Sequence, residues 1–427
     1  MKEEEIRGLA SRYGTPLYSY DGEIIHRQYR LLRGCLPEAF DIFYSVKCNP
    51  LAGVCGLFRQ WGARIEVASL GELHIALSAG FRPRDIVFTS PGKTRAELEA
   101  ALDHGIYSIN VESVAEAALA GELALARGET ARIAVRIHPN SGMQGAGLKM
   151  AGVPTPFGID QTGIDEAIAA ISAMPGVALI GLHVFTGSQI LDADVIVRGM
   201  RDTINLALEL SERHGFGLQF LDLGGGFGVP YFAGETALDT DRLREGILEL
   251  WEEYGARLAG TRIGVESGRF LMAESGVFLT KALYVKECKG AKFVVCDGGS
   301  NHHAASAFLG RYVRNNFPMH VLGKEGGPAV ETNVVGCLCT PTDVIGQRVG
   351  LSADVEPEDI VVVSKSGAYG LTHSPTMFLS HALPAEVLVW EGEAHLLRER
   401  GKTEDAMRGQ RMPAANPAFR DDYARTV

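Results

Sequence analysis

The 427-residue chain has no apolar run approaching the ~18–20 residues that a membrane-spanning helix needs. Its first ten residues, MKEEEIRGLA, hold no apolar core of the secretory kind. Positive charge is in deficit: 41 Lys and Arg stand against 52 Asp and Glu, a net of −11. That balance argues against nucleic acid or an anionic membrane as the main partner. The seven cysteines (Cys35, Cys48, Cys55, Cys288, Cys296, Cys337, Cys339) are odd in number, scattered, and form no CxxC pair. A disulfide framework and a zinc site are therefore not expected. The expectation is a reduced, cytoplasmic compartment and no metal.

Glycine, by contrast, is abundant, and many of the 51 glycines fall just after strand-like runs. Eight such runs follow residue 40: FDIFYSVK (40–47), ARIEVAS (63–69), DIVFTSP (85–91), YSINVES (107–113), ARIAVRIHP (131–139), ALIGLHVFTG (178–187), QFLDLGGG (219–226) and TRIGVESG (261–268). Between them lie segments with apolar residues at helical spacing, such as 52–62, 70–80 and 94–105. Eight tandem βα units predict a (β/α)8 barrel over residues 23–280; an open doubly wound sheet is the alternative.

Beyond residue 280 the pattern changes. The runs at 276–288, 291–299, 330–339, 359–370 and 385–400 alternate or are β-branched, and Gly or Pro separates them. This predicts an all-β domain over 281–427, ending in a polar surface tail. The strand-like TPLYSYD (15–21) precedes the barrel, and residues 1–22 are assigned to the β-domain.

In such a barrel, catalytic groups collect at the carboxyl ends of the strands. Lys47, Glu66, His183, Ser188, the run Gly224-Gly225-Gly226, Glu266 and Arg269 all fall there. Alone, Lys47 reads as a solvated strand-end lysine with no acidic neighbour in sequence, His183 as a core histidine, and the glycines as a tight turn. Together they have a chemical meaning. Bare backbone N–H groups after a strand can close around a phosphate. Pyridoxal phosphate needs such a site, a lysine to carry it, and a group facing its pyridine nitrogen.

The motifs YSVKCN, EVASLGEL, HVFTGSQ, LGGGFG, ESGRF, CDGG, GCLCTPTD and SGAYG stand in an order that resembles the fold type III pyridoxal-phosphate decarboxylases. This is the group of diaminopimelate and ornithine decarboxylases, and the resemblance spans about residues 15–400. It implies an alanine-racemase-like barrel with a β-domain, acting as a homodimer with shared active sites. It implies that Lys47 carries the cofactor, with Glu66 near it and His183 stacked on the ring. Ser188, Gly225, Gly226, Arg269 and Tyr369 would hold the phosphate, and Glu266 would pair with the pyridine nitrogen. Cys339, with Asp343 beside it, would protonate the product in the partner subunit's site. A thiol keeps its proton at neutral pH, which suits that role.

The departures concern the substrate. Thr340 is neutral where the family carries an acid after the motif cysteine, and NHHAASAFLGR (301–311) replaces an Arg-Pro-Ala-Leu-Tyr run. A buried cationic tail without a carboxylate costs several kcal/mol, so a free diamino acid fits poorly. MAGVPTPFGID, GGGFGVPYF, NHHAAS and CTPTD are similar to the butirosin-pathway branch, which acts on a glutamyl unit tethered to an acyl carrier protein. Arg269, Thr340 and Arg311 are the candidate substrate contacts, with Arg311 and Arg314 set to meet an acidic carrier or its phosphate. A decarboxylase of free diaminopimelate, lysine or ornithine is the alternative. A non-catalytic relative is a third reading, opposed by the intact set Lys47, Glu266, Arg269, Cys339 and Asp343.

Overall fold

The computed structural model describes residues 1–140, 148–149, 152–307 and 315–411. Its strands run, in chain order, β1 (Leu17–Asp21), β2 (Phe40–Ser45), β3 (Arg64–Val67), β4 (Ile86–Thr89), β5 (Ser108–Val111), β6 (Ala131–His138), β7 (Leu148–Lys149), β8 (Ile159–Asp160), β9 (Val177–Val184), β10 (Gly187–Ser188), β11 (Phe220–Asp222), β12 (Arg262–Ser267), β13 (Gly276–Cys288), β14 (Ala291–Cys296), β15 (Met319–Val321), β16 (Ala329–Val335), β17 (Val344–Ser352), β18 (Ile360–Val363), β19 (Ala385–Trp390) and β20 (Glu393–Arg398).

Eight of these, in the order β5-β4-β3-β2-β12-β11-β9-β6, form a parallel sheet that closes on itself through β5 and β6. They are the eight strands expected from sequence. Strands covered on both faces read as near-continuous apolar runs, and all four residues of β4 are buried. The helices between them start on side-chain caps. Ser69 accepts from the Glu72 amide, and Thr94 forms a reciprocal capping box with Glu97. Phe43, Val87, Ala134, Ile180 and Phe220 fill the barrel floor as one apolar cluster. Gly181 belongs to that floor: a Cβ there would sit 1.8 Å from the Phe220 carbonyl.

The second sheet runs β17-β16-β14-β13-β1-β19-β20, with β18 joining β13 to β15. β1 is an interior strand of it, antiparallel to β13 and parallel to β19. The chain then passes straight into the helix Gly22–Cys35, which Asp21 caps. Trp390 of β19 packs 5.7 Å from Trp61 and 5.8 Å from His26, which joins this sheet to the barrel's outer helices. β15, β17 and the helix Glu3–Tyr13 carry signals too short or too polar for the sequence pattern to separate. Residues 412–427 of the expected tail lie outside the described residues. No helix among the described residues is long and apolar enough to cross a membrane.

Candidate active site

A cavity of about 950 Å³ opens at the carboxyl ends of the barrel strands. Lys47, Arg136, His183, Ser188, Glu266, Arg269 and Tyr369 line it, contributed by both sheets and the loops between them. Lys47 lies two residues past β2, in the single turn Val46–Cys48. Its Nζ donates to both Glu66 oxygens, at 3.0 and 3.1 Å. The parallel register pairing Ser45 with Glu66 creates this contact. The sequence-based view of a lysine without an acidic neighbour is thus corrected: its partner is 19 residues away. Burial opposes the charge on Lys47, but the carboxylates of Glu66 and Glu266 outweigh it, and the ammonium is held above its ordinary range.

At the base of the cavity His183 and Glu266 meet Asp222, which lies behind the wall; one ligand atom of each falls within 4.8 Å of the others, and all three are buried. Burial, then the charges of Glu66 and Asp222, push Glu266 well above the usual carboxylate range. Asp222 is pushed up to about 7 by burial and by Glu66, against the pull of the Gly224 amide it accepts from. Burial, with the positive charges of Arg136, Lys47 and Lys93, drives His183 well below its usual value, so the imidazole is neutral. Both His183 nitrogens, Asp222 Oδ2, Glu266 Oε1 and Ser267 Oγ are buried without a hydrogen-bond partner. Such orphaned groups are costly unless a ligand completes them.

The opposite wall suits an anion. The Arg269 guanidinium sits over the Tyr369 ring at 4.6 Å and donates to Tyr231 Oη at 3.3 Å, while its Nε is unpartnered. Among the described residues it forms no ion pair. Tyr369 adopts a φ of +54° and donates its amide to the Cys48 carbonyl, which ties the second sheet to the Lys47 turn. Ser188 lies in β10, and the loop beyond it zips onto the glycine run through Ile190 N to Gly226 O (2.8 Å) and Gly228 N to Ile190 O (2.9 Å). The amides of Gly225 and Gly226 donate to no other described residue. Gly225 and Gly226 do not line the cavity wall, however, and neighbouring backbone explains their missing side chains. A Cβ on Gly225 would meet the Glu266 carbonyl at 2.1 Å, and one on Gly226 the Gly187 carbonyl at 2.6 Å.

Sequence reasoning missed two paired cations. Arg136 of β6 donates to Glu112 at 2.7 Å, and the wholly buried Lys93 donates to Glu116 at 2.6 Å. An arginine inside the apolar run ARIAVRIH and an aspartate inside QFLDL were the available signals for Arg136 and Asp222.

Three expected site residues lie elsewhere. Cys339 is exposed and Thr340 half-buried, and both are absent from this chain's cavity wall. Asp343 is 3% exposed, and both its oxygens are taken: Oδ1 by the Ser300 amide (2.6 Å), Oδ2 by the Leu338 amide (2.9 Å). Within this chain it braces the turn that carries Cys339. Gly299 and Gly336 pack so closely on the carboxylate that a Cβ on either would lie 2.3 Å from it. Arg311 and Arg314 lie outside the described residues.

The residues present fit pyridoxal phosphate: a lysine at one side, a neutral imidazole and a proton-holding acid beneath, and a guanidinium without an ion pair beside Ser188 at the other side. Comparison with known proteins agrees. The family description "pyridoxal-dependent decarboxylase, pyridoxal binding domain" matches residues 22–273. The chain is 41% identical to the L-glutamyl-[BtrI acyl-carrier protein] decarboxylase of Niallia circulans, over 99% of both chains. It is 31% identical to the diaminopimelate decarboxylase of Methanothermobacter thermautotrophicus, over 95% of this chain and 94% of that one. The crystal structure of the diaminopimelate decarboxylase of M. jannaschii in co-complex with L-lysine superposes with a TM-score of 0.87 at 28% identity, covering 95% and 94% of the two chains. The chain therefore belongs to the pyridoxal-dependent decarboxylases, with pyridoxal phosphate as its cofactor and an amino acid carboxylate as the group it removes.

Proposed function

We propose that the enzyme decarboxylates an aminoacyl unit tethered to an acyl carrier protein, in a homodimer whose active sites are shared between two copies. The cavity wall carries the substrate reading. Among its described residues Glu266 is the sole carboxylate, and it is buried against His183. A free diamino acid would bring a far ammonium with no acid to meet it, at a cost of several kcal/mol. A tethered unit brings a neutral acyl linkage instead. The printed activity of the Niallia circulans relative is of the same substrate class.

Pyridoxal phosphate, when bound, supplies the sink for the electron pair left behind as carbon dioxide departs. Lys47 would hold it covalently, and Glu66 orients the lysine nitrogen from the neighbouring strand. Glu266, crowded by Asp222, would hold a proton at the pyridine nitrogen. His183, kept neutral by burial, offers a flat apolar face without adding charge. Ser188, the Gly225 and Gly226 amides, Arg269 and the Tyr369 hydroxyl would take the phosphate, and Arg269 and Thr340 would border the substrate. Cys339 from the second copy would deliver a proton from Sγ to the substrate Cα. Asp343 would aim that turn through the Leu338 amide.

The test is mass spectrometry on aminoacyl carrier proteins and free amino acids, looking for loss of one carbon dioxide. Turnover of free diaminopimelate at an ordinary enzymatic rate, with none on any carrier, would sink the carrier reading. Mixing Lys47→Ala with Cys339→Ala protein restores activity if the sites are shared; lasting inactivity of the mixture counts against it.

A further inference from the structure

The segment Ser300–Ala307 is polar in sequence and almost wholly buried. Ser300, Asn301, His302, His303 and Ser306 are each at most 4% exposed. The segment is fastened from several directions. The His302 and His303 amides both donate to the Gly299 carbonyl at 2.9 Å, and the Ser300 amide donates to Asp343. Tyr18 Oη donates to the His302 carbonyl at 2.6 Å. His303 Nδ1 accepts the Ser306 amide at 3.2 Å, which leaves Nε2 to donate to Ser366 Oγ at 2.8 Å. The Ala304 amide donates to Ser374 Oγ, which itself donates to the Gly370 carbonyl. With its polar groups turned inward, the segment presents only Ala304 and Ala305 to the cavity.

These two methyl groups border the part of the chamber that the charged residues leave unclaimed. Lys47 is paired with Glu66 and Arg136 with Glu112, and Arg269 lies against two tyrosine rings, committed to the phosphate in the reading above. The rest of the wall is mixed and carries no carboxylate beyond Glu266: Phe157, Phe185, Phe317 and Pro375 stand beside the neutral hydroxyls of Thr89, Ser90, Thr372 and Ser374. At about 950 Å³ the chamber is at the upper end of ordinary ligand pockets, with room for more than a cofactor. We infer that Ala304 and Ala305 are specificity-determining residues: a fixed, side-chain-poor window that admits the neutral, extended pantetheine-type arm of a tethered substrate. Because the backbone is fastened up to Ala304, and Ser306 and Ala307 fold back onto His303 and Ala304, a larger side chain at either position must project into the chamber. The inference rests on the carrier-tethered reading above and specifies where the arm passes.

The experiment is a graded series, Ala304→Val, Ala304→Leu, Ala304→Phe and Ala305→Phe, assayed as holoenzyme on an L-glutamyl carrier protein and on L-glutamyl pantetheine thioester. Cofactor occupancy and melting temperature are followed in parallel. The expected result is a KM that rises with side-chain volume, at least tenfold for phenylalanine, with kcat and occupancy held within about twofold in the valine and leucine variants. A KM within twofold of the parent in every variant that retains cofactor would overturn this inference while leaving the carrier reading intact. Wild-type enzyme that turns over only free amino acids would overturn both. Should the phenylalanine variants fail to load cofactor, the valine and leucine members decide.

Discussion

The floor and the mouth of the barrel are built from the same strands, a few residues apart, and obey opposite rules. At the floor, Phe43, Ile180 and Phe220 close a dry cluster in which no polar atom is in question. At the mouth, the same strands continue into Lys47, His183 and Asp222, where buried polar atoms stand without partners. The floor is complete as folded; the mouth is complete only with a ligand. Stability and function are thus separated along each strand by a few residues, which is how a barrel can vary its chemistry without redesigning its core.

Four substitutions test that separation, from the largest expected effect to the smallest. Lys47→Ala at the mouth should reduce carbon dioxide release by at least about a thousandfold, about 4 kcal/mol in transition-state terms, while the protein still folds. Substantial residual turnover would remove Lys47 from its proposed role. Phe220→Ala at the floor should do the reverse, costing about 3–5 kcal/mol in urea unfolding while the folded fraction still binds cofactor. Activity lost with stability intact would erase the distinction between the two regions.

Asp222→Asn probes strain stored at the mouth. The folded apoprotein holds this proton up to about pH 7, well above the ordinary aspartate value of 3.8. A raised folded-state value means that stability is greatest at low pH and is lost as pH rises toward 7. The asparagine variant, which still accepts the Gly224 amide, should therefore gain on the wild-type apoprotein between about pH 4 and 7 and level off above. The gain should reach on the order of 1–4 kcal/mol in denaturant titrations. A gap independent of pH would show that Asp222 ionises normally. Asp343→Asn turns a donor toward a backbone amide and should cost about 1–3 kcal/mol. A lower kcat with normal cofactor loading is expected, because the Cys339 turn loses its brace; an unchanged kcat would leave Asp343 with bracing alone.

Much of this was legible in the sequence where the signal is local. Apolar runs of four to eight residues separated by helical periodicity specify the eight parallel strands, since strands buried on both faces need apolar residues on both. Position at strand ends also pointed to Lys47, His183, Glu266 and Arg269, and the family resemblance to Tyr369; all five line one cavity. Short or polar elements such as β15 and β17 were not legible, because their stability comes from neighbours in the second sheet and not from their own pattern.

By itself, then, the sequence determined the alternation of strands and helices, the change to an all-β second half, and which polar residues fall at strand ends, because each depends on a few consecutive side chains. Only the tertiary structure decided who meets whom there. Parallel register brings Glu66 to Lys47, the pairing of β11 with β12 sets Asp222 beside Glu266 where burial raises both, and Gly299 and Gly336 pack around Asp343. Those are long-range contacts, and their charges acquire their energies only in a desolvated interior that no local stretch of sequence contains.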